Sequence, residues 1–190
     1  MLRLLYFLVS LILAMSCQQK TEYDKVKERE LASGKVVEEL FLDLKFGMAK
    51  KDFFTTCWEW NKKGVLTNGS HVLQVRYEPE MPSGKEVEMF FYPEFENNKL
   101  YFMPIEFRYP GWSPTSPETT NDKLLKDVVG LMEGWFGNGF FEVKDKSGQV
   151  SVWVKIDGNR LIRIFIKDRT NVRAEMLDLR IKGISEINKG

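Results

Sequence analysis

The sequence predicts an α+β fold in which one antiparallel sheet carries two amphipathic helices on one of its faces. Two segments, residues 48–63 and 120–136, place apolar residues at the i, i+3, i+4 spacing of a helix that buries one side. Several short segments after each helix alternate apolar and polar residues, as half-buried strands do. Aromatic residues make up 13% of the chain, which favours strands and a bulky core.

The first sixteen residues are predicted to be an export signal peptide that is not part of this fold. Arg3 supplies a positive charge, and residues 4–15 form an apolar segment interrupted only by Ser10. Such a segment is short for a bilayer span and typical of a signal peptide. The alternative is a short anchor helix that is never cleaved. Small Ser16 precedes Cys17 where the apolar run stops, and this favours cleavage.

The segment Leu13-Ala14-Met15-Ser16-Cys17 resembles the lipobox of bacterial lipoproteins, with Ala14 at the position where that family most often has Leu. The resemblance implies that Cys17 becomes the mature N-terminus and carries a diacylglyceryl thioether and usually an amide-linked acyl chain of the palmitate type. Such chains bind membranes at about 0.8 kcal/mol per buried methylene. Gln18 replaces the Asp that retains many lipoproteins in the inner membrane, which implies the outer membrane of the cell envelope.

The chain has two cysteines, and a lipidated Cys17 cannot form a disulfide. Cys57 lies between Thr56 and Trp58 in a segment with helical apolar periodicity, which predicts a buried free thiol. A disulfide between Cys17 and Cys57 is the alternative that an exported compartment would allow.

Residues 17–38 are rich in charge, and they are predicted to form a flexible tether, with at most a transient helix, between the membrane and the fold. Residues 39–109 form the first predicted half. Its predicted elements are a strand at 39–46, the helix at 48–63 ending at Gly64, and strands at 71–78, 86–93 and 99–109. Asn97-Asn98 predicts a tight turn, and Pro104 predicts an edge position or a bulge.

Residues 110–119 contain three prolines and are predicted to connect the two halves. Residues 120–184 form the second half, with the helix at 120–136 and strands at 140–145, 149–156, 160–168 and 172–182. An offset of 75 residues places Trp60 on Trp135 and Gly64 on Gly139. This match predicts a degenerate tandem α-βββ repeat.

The segment KFGMAKKDFF (45–54) resembles the Gly-Met-[Ser/Thr]-[Lys/Arg] opening of folds similar to beta-lactamase inhibitor protein and the small outer-membrane assembly lipoproteins. Those proteins use units of a helix and an antiparallel sheet, sometimes in tandem, and they act by binding other proteins. Ala49 stands in place of the hydroxyl residue that would cap the helix, and the second half lacks the motif. The resemblance implies a binding function.

Composition and motifs argue against several kinds of chemistry. The 28 basic and 27 acidic residues nearly cancel, which argues against a nucleic-acid partner. With His71 as the single histidine, the sequence predicts no metal centre, no cofactor and no Ser or Cys nucleophile with its base. Glycosidase chemistry needs only two acids, and candidate pairs come from Glu86, Glu88, Glu94, Glu96 and Glu106.

Aromatic residues supply the predicted partner-binding site. Trp112 lies in the proline-rich connection, outside any periodic stripe, where it could anchor a partner or fold back over the core. Tyr92 and Tyr109 lie on the predicted strands nearby and could belong to either arrangement, whereas Trp58, Trp60 and Trp135 have core spacing. The sequence therefore predicts a membrane-anchored envelope lipoprotein that acts as a non-catalytic binding module. The alternative is an envelope protein that binds or hydrolyses glycans through Glu pairs and exposed aromatics.

The lipobox resemblance makes a direct prediction about Cys17. Replacing Cys17→Ala should remove the acyl mass from the protein and move it from the membrane fraction to the soluble fraction, because the acyl chains are its expected hold on the bilayer. Intact mass spectrometry and membrane fractionation of wild type beside the variant measure both effects. An unlipidated, soluble wild-type protein would contradict the prediction.

Overall fold

In the described part of the chain, nine strands form one antiparallel sheet with helices on both faces. The computed structural model describes residues 20–68, 74–144, 148 and 151–183. Within them, the elements are α1 (Glu22–Ala32), α2 (Lys50–Lys62), β1 (Leu66–Asn68), β2 (Val75–Tyr77), β3 (Glu88–Phe91), β4 (Glu94–Glu96), β5 (Lys99–Arg108), α3 (Asn121–Phe136), β6 (Phe141–Lys144), β7 (Ser151–Asp157), β8 (Arg160–Ile166) and β9 (Val172–Asp178).

The strand order is β1-β2-β3-β5-β9-β8-β7-β6, and β4 also pairs with β5. Each half is a helix followed by antiparallel strands, and the last strands of the halves, β5 and β9, pair with each other. This confirms the predicted α+β class. Each half contributes four strands to the path. Four were predicted after the second helix, but only three after the first helix and in the α-βββ repeat, and a shared origin of the halves stays a prediction.

Helices α2 and α3 pack on the same face of the sheet, as predicted. Alternate residues of β5, Met103, Ile105 and Phe107, lie in one core with Phe53 of α2 and Leu124 of α3, and all five are fully buried. Side chains of this size cost about 2–5 kcal/mol each when truncated to Ala. This core fixes the position of α2 relative to the sheet.

Helix α1 packs on the opposite face, so the predicted flexible tether over residues 17–38 is wrong for its described part, residues 20–38. The helix begins with a capping box, in which Thr21 and Asp24 each accept a hydrogen bond from the other's backbone N–H. Tyr23 and Val26 are half-buried against a second apolar cluster on β5, β7, β8 and β9. Because only Tyr23 and Val26 contribute to this apolar contact and the rest of α1 is mostly charged, the sequence shows no clear helical periodicity that would have predicted the packing.

The chain after α1 is held by the turn between β7 and β8. Val37 donates its N–H to Asn159 Oδ1 at 2.6 Å, and Lys35 Nζ lies 2.5 Å from Asp157 Oδ1. Gly158 donates its N–H to Glu30 Oε2 at 3.2 Å. These contacts join segments more than 120 residues apart, so this region is part of the fold.

The strand predicted at residues 39–46 is also wrong, because the segment folds into a turn with one β-bridge between Glu39 and Lys45. Leu42 and Asp43 have positive φ angles of 51° and 60°. The turn places Phe41 against the rings of Phe91 and Trp135 at 4.9 and 5.7 Å. Alternation of apolar residues therefore reflected burial of a turn at the core rather than sheet pairing.

Most other predicted elements are confirmed with shorter bounds. The turn at Asn97-Asn98 has φ angles of 48° and 63°. Pro104 lies in an interior strand and not at an edge, opposite the interruption between β3 and β4 at Tyr92-Pro93. The start of the strand predicted at 71–78 lies outside the described residues, as does most of the segment between the strands predicted at 140–145 and 149–156. Strands β1 and β4 were not predicted.

Replacing Gly158→Ala should lower the free energy of unfolding by roughly 1–3 kcal/mol. Gly158 has a φ of 59° at the first position of a two-residue hairpin turn, and an added Cβ would collide with the Lys35 carbonyl oxygen. Gly134→Ala, in an open position on α3, is the control and should change stability by less than about 1 kcal/mol. Urea unfolding of both variants measures the difference, and equal midpoints would contradict the prediction.

Candidate functional site

Two aromatic side chains stand exposed on α2. Phe54 is 45% exposed and Trp58 is 60% exposed. They are four residues apart and therefore neighbours on the helix surface. The prediction that Trp58 packs in the core is wrong, because the buried stripe runs through Phe53, Cys57 and Trp60, and Trp58 lies about 100° around the helix from Cys57.

A groove of about 490 Å³ lies beside these aromatics, between α2 and the strands β1 and β2. We call it the α2 groove. Its apolar lining consists of Phe54, Cys57, Trp58, Leu66, Val75 and Tyr92. Amide groups of Asn61, Asn68 and Gln74 also line it. An apolar groove with a few polar groups is the usual form of a binding site.

The groove has a rigid wall because α2 is fixed from its buried side. The ring of Phe53 makes edge contacts with Phe54 at 5.5 Å and Tyr92 at 6.0 Å. The indole N–H of Trp60 donates to the Leu42 carbonyl oxygen at 3.0 Å. Ala49 begins the helix without a side-chain cap, as the sequence indicated. Packing therefore positions Phe54 and Trp58 at the surface.

Lysines outnumber carboxylates at both ends of α2. Lys50 and Lys51 occupy its first turn together with Asp52, which does not line the depression described below, and Lys62 occupies its last turn, with Lys63 just beyond it. Lys62 forms an ion pair with Glu59 at 2.9 Å. Within the described part of the chain, Lys50, Lys51 and Lys63 have no carboxylate within 4.0 Å. A shallow depression lined by Lys50, Lys51, Phe54 and Trp58 continues this basic surface next to the groove.

Cys57 is a free thiol in the lining of the α2 groove, half-buried instead of fully buried as predicted. Burial raises the pKa of this thiol to about 12. Near neutral pH it is therefore a neutral, apolar part of the groove and not a nucleophile. Cys17 lies outside the described residues.

The three residues predicted to bind a partner are not brought together. Tyr92 lines the α2 groove, half-buried beside Phe53. Tyr109 is buried beside α3, where its hydroxyl donates to Asp127 Oδ2 at 3.4 Å. Burial, and then the Asp127 carboxylate, raise the pKa of Tyr109 to about 12. Trp112 is half-buried in the connection and does not line the α2 groove.

The glutamates considered for glycan hydrolysis lie mostly in ion pairs. Glu88 contacts Arg108 at 2.7 Å and Arg76 at 2.9 Å, and Glu106 contacts Arg173 at 3.2 Å. Glu94 accepts a hydrogen bond from the Tyr101 hydroxyl, and Glu96 forms an ion pair with Lys182. Glu86 is exposed. Such pairs across a sheet surface stabilise neighbouring strands. This geometry supports a structural role for the paired glutamates better than a catalytic one.

Among the described residues, no group of three or more His, Cys, Asp or Glu could hold a metal ion. His71 lies outside that part of the chain. None of the helices in the described ranges is long and apolar enough to cross a membrane.

Comparison with known proteins adds no family to this geometry. No family model matches the chain, no curated protein matches its sequence, and no solved structure matches its fold. The two resemblances noted in the sequence therefore stay predictions.

The raised pKa of Cys57 predicts slow alkylation. In a Cys17→Ala variant, where Cys57 is the only thiol, iodoacetamide at pH 8 should react at least about tenfold more slowly with folded than with urea-unfolded protein. Because the pKa of Cys57 is higher in the folded protein than in the unfolded chain, the protonated thiol stabilises the folded state. This contribution to the free energy of unfolding is complete below the unfolded pKa of about 8.5 and is lost as the pH rises towards 12. Equal alkylation rates would contradict the assignment.

Proposed function

We propose that this chain is a lipid-anchored protein of the cell envelope that binds another protein through the α2 groove, without catalysing a reaction. The observation that carries the proposal is the exposure of Phe54 and Trp58 beside a groove on a helix that is fixed by the core. Exposed aromatics at a preformed concave site are typical of protein-binding surfaces. This replaces Trp112 by Trp58 as the expected anchor.

Burial of these side chains would supply a useful part of a binding free energy. Fully burying one large apolar side chain contributes about 1.5–3 kcal/mol. Because α2 is already fixed by Phe53 and Trp60, little conformational entropy is lost when Phe54 and Trp58 are covered. The site is therefore prearranged for a partner.

The position of α1 supports a body held near the membrane. Only Gln18 and Gln19 separate Cys17 from Lys20, the first described residue. Three residue steps span at most roughly 11 Å. With Cys17 lipidated, as we propose, the long reach expected of a flexible tether is absent. Helix α1 lies on the sheet face opposite α2, so the α2 groove lies on the side of the sheet away from the helix that follows the anchor.

The alternative is a glycan-binding protein that uses the same groove. Trp58 offers an exposed indole face, and Asn61, Asn68 and Gln74 offer amide groups beside it. Aromatic stacking with amide hydrogen bonds suits a sugar ring as well as a peptide. Crosslinking at the groove distinguishes the two proposals, because the first predicts a captured protein and the second a captured glycan.

Photo-crosslinking in intact cells tests the proposal. A photoreactive residue at exposed Thr55, next to Trp58, should give one discrete crosslinked protein in the wild-type background, because the partner covers α2. Adding Trp58→Ala should reduce its yield about tenfold or more, as expected for a central aromatic anchor. Adding Trp112→Ala should leave the yield unchanged. Equal yields in all three backgrounds, or capture of glycan alone, would refute the proposal.

A further inference from the structure

We infer that the α2 groove binds an acidic amphipathic segment of the partner protein, one that places apolar side chains in the groove and carboxylates at the lysines beside it. This inference rests on the proposed function and names its partner by chemistry. Three features of the described residues carry it: the charge of α2, the shape and lining of the groove, and the location of α1.

The charge around the groove selects for acidic partners. Lys50 and Lys51 lie on the same depression as Phe54 and Trp58, without carboxylates of the described chain within 4.0 Å. Lys63, beyond the other end of α2, also has no carboxylate of the described chain within 4.0 Å, and its ammonium lies 4.3 Å from the centroid of the Trp60 ring. Unpaired cations at the rim of an apolar site attract acidic partners and exclude basic ones.

The lining selects for a polypeptide with apolar side chains. Leu66, Val75 and Tyr92 provide an apolar surface that Trp58 and Phe54 extend outwards. Asn61 donates its amide N–H to the Leu66 carbonyl oxygen at 2.8 Å, which holds this side chain in place in the lining. Amphipathic segments bind grooves of this kind with apolar residues about one helical turn apart.

An anionic membrane is the other occupant with this chemistry, because Trp, Phe and Lys also mark helices that lie on bilayers. Two observations favour a protein. The lining residues Leu66 and Val75 lie at the strands behind α2, in a concavity that a flat bilayer does not fill. Helix α1, which follows the proposed anchor, lies on the opposite sheet face.

Selection from a random dodecapeptide library displayed on phage tests the inference. The lipidated wild-type protein, held in phosphatidylcholine nanodiscs, is the target. Enriched peptides should carry net negative charge and pairs of Leu, Phe or Trp three or four residues apart. No enrichment, or enrichment of neutral or basic peptides, would overturn the inference.

Matched variants locate the binding of the enriched peptides. Trp58→Ala should weaken binding about tenfold or more and Lys51→Glu about fivefold, whereas Lys126→Glu, an exposed charge reversal on α3, should have no effect. Peptide binding that is insensitive to Trp58→Ala overturns the inference, as does displacement of the peptides by phosphatidylglycerol vesicles. A Trp58-dependent crosslinked partner whose contacting segment is not acidic would refute this inference and leave the proposed function standing.

Discussion

The antiparallel pairing of β5 with β9 is the constraint on which the rest of the structure depends. Six residue pairs, from Phe102 with Leu177 to Phe107 with Val172, join the last strands of the two halves into one sheet. Because residues of both strands face the same core, α2 and α3 pack over a common apolar layer. The position of α2, and therefore of its exposed aromatics, follows from this pairing.

A single sheet also has two distinct faces, and the proposed function uses both. One face is covered by α2 and α3 and presents the α2 groove at its outer side. The other is covered in part by α1, and the chain after α1 is held by the β7–β8 turn around Gly158. In a protein anchored at Cys17, as proposed, this division would separate the surface near the membrane from the surface proposed to bind a partner.

The sequence predicted what depends on local spacing and missed what depends on distant partners. The helix from residue 121 to 136 and the turn at Asn97-Asn98 were predictable, because periodicity and positive φ are local properties. Residues 39–46 alternate like a strand, yet among the described residues their one β-bridge is internal, between Glu39 and Lys45, and they form a turn. Trp58 is a large aromatic residue of the kind that usually packs in a core, and only the packing of α2 places it outside the buried stripe. The lysines of the same helix were the one feature of the sequence that indicated an exposed surface.

The separation of anchor and groove is the central claim, and lipid quenching measures it directly. A fluorophore is attached through Lys25→Cys on α1 or Thr55→Cys on α2, in a Cys57→Ala background, and the lipidated protein is placed in vesicles with nitroxide-labelled headgroups. Both sites are exposed on the protein surface. If the α2 groove faces away from the membrane, quenching should be strong at residue 25 and weak at residue 55. Equal quenching, or stronger quenching at residue 55, would show that the α2 groove faces the bilayer and would contradict the proposed separation.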